Sequence, residues 1–292
     1  MLFFIKKHKI TILALLFLLS ILPFLNFTSS SVSTKPVIKK ELFYPELQKF
    51  NSVEKVIKHI DSIYLQSHLA TFDTAEYVKI ASRFTKERFY HGLSHYNLSD
   101  NWIAALSGKL CWFHLSAIVN PNDILKHAEG LCSQQTIVFM EVLKQKDIKV
   151  RSVGLGYKEG PGHFLSEVHY NGNWHLHDVT MEPNWEKLDH HHGSLEFYLQ
   201  NKDSLYLAYD TKYDRALFNK LLEKVVYGKP NEFPAKNMLL FHKITFALTC
   251  VIPFILLSLL LLAIFGKKQK SQQFSPPKKA STKKSEVLEH LS

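Results

Sequence analysis

Apolar residues recur along this chain in three rhythms, and each predicts a different kind of element. Two stretches, Ile10 to Leu25 and Ile244 to Phe265, are continuously uncharged. At about 1.5 Å per residue the second extends roughly 33 Å as a helix, matching a hydrocarbon core of about 30 Å. Leu256 to Ile264 has only Ser258 as a polar residue, so the polar stripe expected of a buried core helix is missing. Between these runs the period is helical. Leu47, Phe50, Val53, Val56, Ile57, Ile60 and Tyr64 predict a helix over 45–65, and an Asp73-Thr74 cap predicts another through Tyr77, Ile80, Ala81 and Phe84. A single helical turn is expected over Asp123 to His127. A further helix opens at Gly130-Leu131-Cys132-Ser133-Gln134-Gln135, carries Ile137, Met140, Val142 and Leu143, and closes on lysines that favour its dipole.

The third rhythm alternates. Ile148 to Val153 reads as a strand, and His163 to Tyr170 and Asn173 to Thr180 read as a hairpin around Asn171-Gly172, the strongest short turn signal. A two-residue loop sets Asp178 opposite Leu165, which makes it a diagonal neighbour of His163 on one face, within about 8 Å between backbones. His175 and His177 then point the other way. Leu195 to Leu199 and Tyr213 to Val226 look helical, and Tyr90 to Trp112, with Trp102 and Trp112, reads as core packing.

Hydrophobic residues make up 46% of the 292 and charged residues 21%, which excludes a disordered polyelectrolyte. The net charge of +10 would raise nucleic acid as a partner, but most of it sits at the ends. Lys6, Lys7 and Lys9 precede the first apolar run, seven lysines against two glutamates follow Lys243, and the middle has no basic run interleaved with aromatics. No nucleic-acid partner is expected. The lysines lie on the outer, terminal side of both apolar runs, which by the positive-inside rule puts both termini in the cytoplasm and the intervening domain across the membrane. The expected organisation is therefore a signal anchor or transmembrane helix over 1–27, a linker over 28–40, a folded domain over 41–235 with its core at 122–185, a transmembrane helix over 243–266, and a disordered basic cytoplasmic tail over 267–292. No A-x-A-like cleavage site follows the first run, which favours an uncleaved anchor.

Of three cysteines, Cys250 falls inside the second apolar run, and Cys111 and Cys132 could pair as a disulfide in an extracytoplasmic domain. Cys132 stands at a helix start, where unpaired N–H groups and the dipole stabilise a thiolate. A thiol nucleophile needs a base and the base an orienting group, and His163 and Asp178 supply both: Cys132 attacks a carbonyl carbon, His163 carries the proton to the leaving amine, and Asp178 fixes the imidazole.

Three pieces occur in this order: Gly130-Leu131-Cys132, then Gly162-His163-Phe164-Leu165-Ser166-Glu167-Val168, then Asn173-Trp174-His175-Leu176-His177-Asp178-Val179-Thr180. Together they resemble the core of the transglutaminase-like superfamily, relatives of papain-type cysteine proteases. The resemblance covers 130–183 and implies a compact α+β fold, a Cys-bearing helix packed on an antiparallel sheet, with catalytic Cys132, His163 and Asp178. It departs from the family's usual pattern at Phe164-Leu165 after the histidine and in the short 154–162 loop. An oxyanion hole would draw on the Cys132 N–H and on a second donor, for which Gln134, Trp102 and Trp112 are candidates. Asp189-His190-His191-His192 could be metal ligands, but successive loop side chains diverge and no second cluster pairs with them, so neither metal nor cofactor is expected. These observations point to a membrane-anchored cysteine hydrolase or peptidase acting on amide bonds of a peptide or protein, with acyl transfer as the close variant. The alternative is a catalytically silent domain that binds a peptide or envelope polymer in a membrane assembly.

Overall fold

The structure, a computed structural model, describes residues 8–25, 42–67, 71–156, 162–181, 183–184, 192–209 and 215–273. Its elements, in chain order, are α1 (Lys9–Leu25), a 3-10 turn (Pro45–Lys49), α2 (Val53–Ser67), α3 (Thr74–Arg88), β1 (Tyr90–His91), α4 (Leu98–Leu110), a second 3-10 turn (Phe113–Ser116), α5 (Pro121–Ile124), β2 (Glu129–Gly130), α6 (Cys132–Lys144), β3 (Lys149–Gly156), β4 (His163–Tyr170), β5 (Asn173–His177), α7 (Leu195–Gln200), α8 (Lys202–Tyr209), α9 (Arg215–Leu221), β6 (Lys224–Tyr227) and α10 (Lys236–Gln273). Contacts divide the chain into two units, one holding 1–23 and 249–292, the other 24–248.

The 24–248 unit is α+β. Its main sheet has the order β5-β4-β3-β6, all antiparallel. Alternation along β3 sorts the two faces. Val150 belongs to a core with α6, α2 and α3, built from Ile137, Phe139, Val142, Val56, Ile60 and Tyr77, whereas Val153 and Leu155 join Leu165, Leu176, Leu195, Tyr198 and Phe218 under α7 to α9. Covering both faces explains why β3 and β4 are buried over most of their length. Glu167 locks the second cover in place: its fully buried carboxylate receives Arg151 Nη2 at 2.6 Å and the Leu195 N–H at 2.7 Å.

The β4–β5 hairpin has the register its turn predicts, from Tyr170 opposite Asn173 to Ser166 opposite His177. Asn171 and Gly172 both have positive φ, 50° and 78°, the geometry that a tight right-twisting hairpin requires. Elsewhere the chain departs from its sequence pattern. The stripe over 45–65 splits at Asn51-Ser52, because Ser52 Oγ accepts the Lys55 N–H and starts α2 afresh. The expected helix over 213–226 ends early; Val225 and Val226 lie instead in β6, where β-branched side chains suit a strand against the open edge of β3. Trp112, expected in the core, is 57% exposed.

Among the described residues one helix is long and apolar enough to cross a membrane, Lys236–Phe265 within α10; α1 is apolar but shorter, 17 residues. α10 starts before the expected 243 and continues to Gln273 through Pro253, so the tail expected to be disordered from 267 begins as helix. Lys267, Lys268 and Lys270 with the intervening glutamine are good helix formers and extend it. Residues 28–40 and 274–292 lie outside the described residues.

Candidate active site

Cys132 is the first residue of α6, with Leu131 extended before it as the N-cap. The first-turn N–H groups of a helix have no helical partners, so this position suits an anion. The helix is braced on three sides. Gln134 uses its whole amide: Oε1 accepts the Ser94 and Leu131 N–H groups at 3.0 and 3.1 Å, and Nε2 donates to the Ser94 and Ile118 carbonyls at 2.7 Å each. Gln135 Nε2 donates to the Gly130 carbonyl at 2.8 Å, and Thr136 Oγ1 donates to the Phe164 carbonyl at 3.2 Å, fixing α6 to the start of β4. Further out, the buried Arg88 side chain holds the Leu125 and His127 carbonyls, which steadies the approach to β2 and Cys132.

His163 and the Phe164 backbone N–H both act on the Cys132 thiol to lower its pKa. His163, buried at the first position of β4, sets Nε2 at 2.7 Å from Asp178 Oδ2. Asp178 follows the last residue of β5, so it is free of the ladder and turns inward. Its Oδ1 accepts the Thr180 and Met181 N–H groups, both at 3.1 Å, and its Oδ2 also accepts the Tyr209 hydroxyl at 2.8 Å. A carboxylate with this many donors stays ionised although fully buried: burial pushes its pKa up, but the His163 charge and these hydrogen bonds outweigh burial and hold it below its usual range. The same balance acts on the other two groups. Burial opposes charge on His163, yet the Asp178 charge and hydrogen bond raise its pKa well above the ordinary value. Burial also raises the Cys132 thiol, and the hydrogen bond and charge of His163 more than reverse that, so the thiol is lowered. The arrangement stabilises a thiolate–imidazolium pair.

The three candidates for the second oxyanion donor have different surroundings. Gln134 is a brace in this structure, its amide engaged by residues 94, 118 and 131. Trp102 leaves its indole N–H buried without a partner and is not among the residues that line the cavity beside Cys132. Trp112 does line that cavity, a volume of about 460 Å³. The Cys132 N–H remains as the helix-start donor. Cys111 and Cys132 are both free thiols, the first exposed, so the disulfide left open by the sequence is not formed.

The histidines of β5 form a separate group on the opposite face. His177 packs on Phe139 and His192, and His175 stacks on Tyr170 and sets Nδ1 at 2.5 Å from the His192 carbonyl. Asp189 to His191 lie outside the described residues, and among the described residues no group of three or more His, Cys, Asp or Glu is arranged to hold a metal. Two participants were not legible in the sequence, Tyr209 and the Phe164 N–H. Tyr209 lies 31 positions beyond Asp178 on a helix the pattern did not mark, so no spacing signals it. Comparison with protein-family models, curated proteins and solved structures finds no match.

Proposed function

We propose that the chain is a membrane-anchored cysteine hydrolase of transglutaminase-like type, cleaving amide bonds through a thioester acyl-enzyme. The observation that carries this reading is the 2.7 Å contact of His163 Nε2 with the buried Asp178 carboxylate, together with Cys132 at the start of α6, where His163 lowers its thiol. The thiolate attacks the amide carbonyl, the Cys132 N–H and its helix end stabilise the oxyanion, and the His163 imidazolium donates its proton to the departing amine. Water, deprotonated by His163, then releases the acid and restores the thiol; an amine in place of water gives acyl transfer. The carbonyl carbon needs no cofactor for either step. The apolar length of α10 and the lysines outside both apolar runs support a two-span topology, with both termini cytoplasmic and the catalytic domain extracytoplasmic.

Iodoacetamide tests the site. At pH 6.5 it should alkylate Cys132 much faster than the exposed Cys111, and His163→Ala should slow Cys132 at least several fold, read by mass spectrometry of the two peptides. Equal, slow labelling of both thiols would favour the silent binding domain instead. Reporter fusions at Lys270 and near Ser194 should behave as cytoplasmic and exported respectively; an exported Lys270 reporter would overturn the topology.

A further inference from the structure

The cavity beside Cys132 has a lining that the reaction itself does not require. Its wall includes Leu131 and Ser133, which flank the thiol in sequence, and Phe164, which follows the base. The cavity thus adjoins the segments that carry Cys132 and His163, although neither reacting side chain is part of its wall. The rest of the wall is mainly apolar, with Trp112, Val119 and Met238; its polar members are His114 and Gln134, and no Asp, Glu, Lys or Arg is among the lining residues. At about 460 Å³ it falls within the range of small-molecule sites, about 300–1,000 Å³.

The rim indicates where such a group would come from. Leu110, Trp112 and Phe113, at the end of α4 and in the turn after it, are 80%, 57% and 56% exposed, an apolar edge that water alone does not favour. This edge is tied to the beginning of the apolar helix. Asn101 Nδ2 donates to Thr245 Oγ1 at 2.9 Å, His242 Nε2 lies 3.0 Å from the Leu115 carbonyl, and Met238 of the same helix lines the cavity. Exposed Trp and Phe beside the entry of a membrane-spanning helix are the residues that settle at a bilayer interface.

We propose that the cavity takes a long apolar acyl chain, and that the substrate is an amide whose acyl part is such a chain, presented from the membrane surface. This rests on the cysteine-hydrolase reading above. The Cys132 sulfur–carbon bond forms at the acyl carbonyl, the carbon–nitrogen bond breaks, the amine leaves with the proton from His163, and water then releases the fatty acid.

Acyl 4-nitrophenyl esters test the cavity without depending on a leaving amine. The full-length protein in detergent micelles is given acetyl, octanoyl and tetradecanoyl esters, and the Cys132 thioester is followed by mass together with nitrophenolate release. Each buried methylene is worth about fourfold, so octanoyl should acylate Cys132 at least ~100-fold faster than acetyl. Val119→Trp and Met238→Trp, which fill the cavity, should each lower that ratio at least ~10-fold in the same micelles; if one fails to fold, the wild-type series and the other variant still decide. Ratios that do not depend on chain length, while iodoacetamide still alkylates Cys132 rapidly, would overturn the acyl cavity and leave the hydrolase reading standing. Faster acylation by the ester of N-acetyl-leucine or N-acetyl-phenylalanine than by octanoyl would assign the cavity to a peptide side chain and overturn the acyl chain. A Cys132 inert to esters and iodoacetamide alike would remove both readings.

Discussion

Two histidine environments on the two strands of one hairpin, both toward its open end, show what decides the charge of a buried imidazole. His163 begins β4, and His177 ends β5; both are almost fully buried. His163 faces a carboxylate and a thiol, and its pKa is raised. His177 faces Phe139 and other histidines; burial, with the neighbouring His192 and His175 charges against it, drives its pKa well below the ordinary value. His192 in the same group is lowered to about 4, chiefly by burial. Burial is thus common to both regions, and at His163 the Asp178 anion, with Cys132 beside it, inverts its effect. Asp178 is the residue next to His177. The alternation of side chains along the strand sends these two neighbours to opposite faces.

The largest break in this comparison should come from Asp178→Asn. The pocket presents four donors: the Thr180 and Met181 N–H groups, the Tyr209 hydroxyl and His163 Nε2–H. A carboxylate accepts from all four, whereas an amide must turn its NH2 against one side or the other. Keeping the two backbone bonds points that NH2 at His163 and forbids the imidazolium, so the thiolate loses its partner. Turnover should fall by up to about ten thousandfold, the scale seen when the carboxylate of a serine triad is replaced, with the hairpin intact by circular dichroism. Undiminished turnover would show that the imidazolium does not depend on Asp178.

The second test reads the two histidine groups through stability. His177 and His192 have lowered folded pKa values, so the unfolded chain, titrating near pH 6.5, binds more protons than the folded one. Their contribution is complete above pH 6.5 and is lost as pH falls below it, for His192 toward about 4. His163 has the opposite sign: its contribution is present below pH 6.5 and is lost as pH rises through its raised folded value. Between pH 6.5 and 5 the first group changes most of the two, alongside His59, His127 and His242, whose pKa values burial also lowers. The domain should weaken over that interval, with His192 contributing on the order of 3 kcal/mol once the pH reaches its folded value. His192→Asn should flatten the slope; thermal unfolding at pH 5.0, 5.75 and 6.5 measures it. A wild-type Tm independent of pH there would mean that these rings are not buried neutral.

How far the sequence carries this picture follows from how local each feature is. The hairpin register is legible because Asn171-Gly172 fixes it within ten residues, and with it the approach of His163 to Asp178. The start of α6 is legible because glycine, small polar residues and a closing lysine bracket one helix. Features that depend on distant partners are not. Nothing in Gln134 says that residues 94 and 118 will need its amide, and Val225-Val226 reads as either helix or strand until β3 offers an unpaired edge. Trp112 reads as core because tryptophan usually is; it stands instead just past the end of α4, where its ring is 57% exposed.

The smallest effect should sharpen the comparison from the side of the carboxylate. Tyr209 donates at 2.8 Å to the same Asp178 oxygen that His163 holds, and in doing so helps keep the anion below its usual range. Tyr209→Phe removes one of the four donors and leaves the ring, which lies 4.9 Å from Phe218 in the cover over the sheet. A hydrogen bond to a charged group is worth about 2 kcal/mol, so that is the expected loss of stability. The effect on the imidazole is less obvious and has two parts. Without Tyr209 the carboxylate is less well solvated, which strengthens its bond to His163 but makes a shared proton harder to give up. The alkaline limb of the Cys132 labelling profile should therefore move toward higher pH while maximal turnover falls, by about tenfold. A packing defect alone would lower stability without moving that limb, and this is the result that would remove Tyr209 from the site.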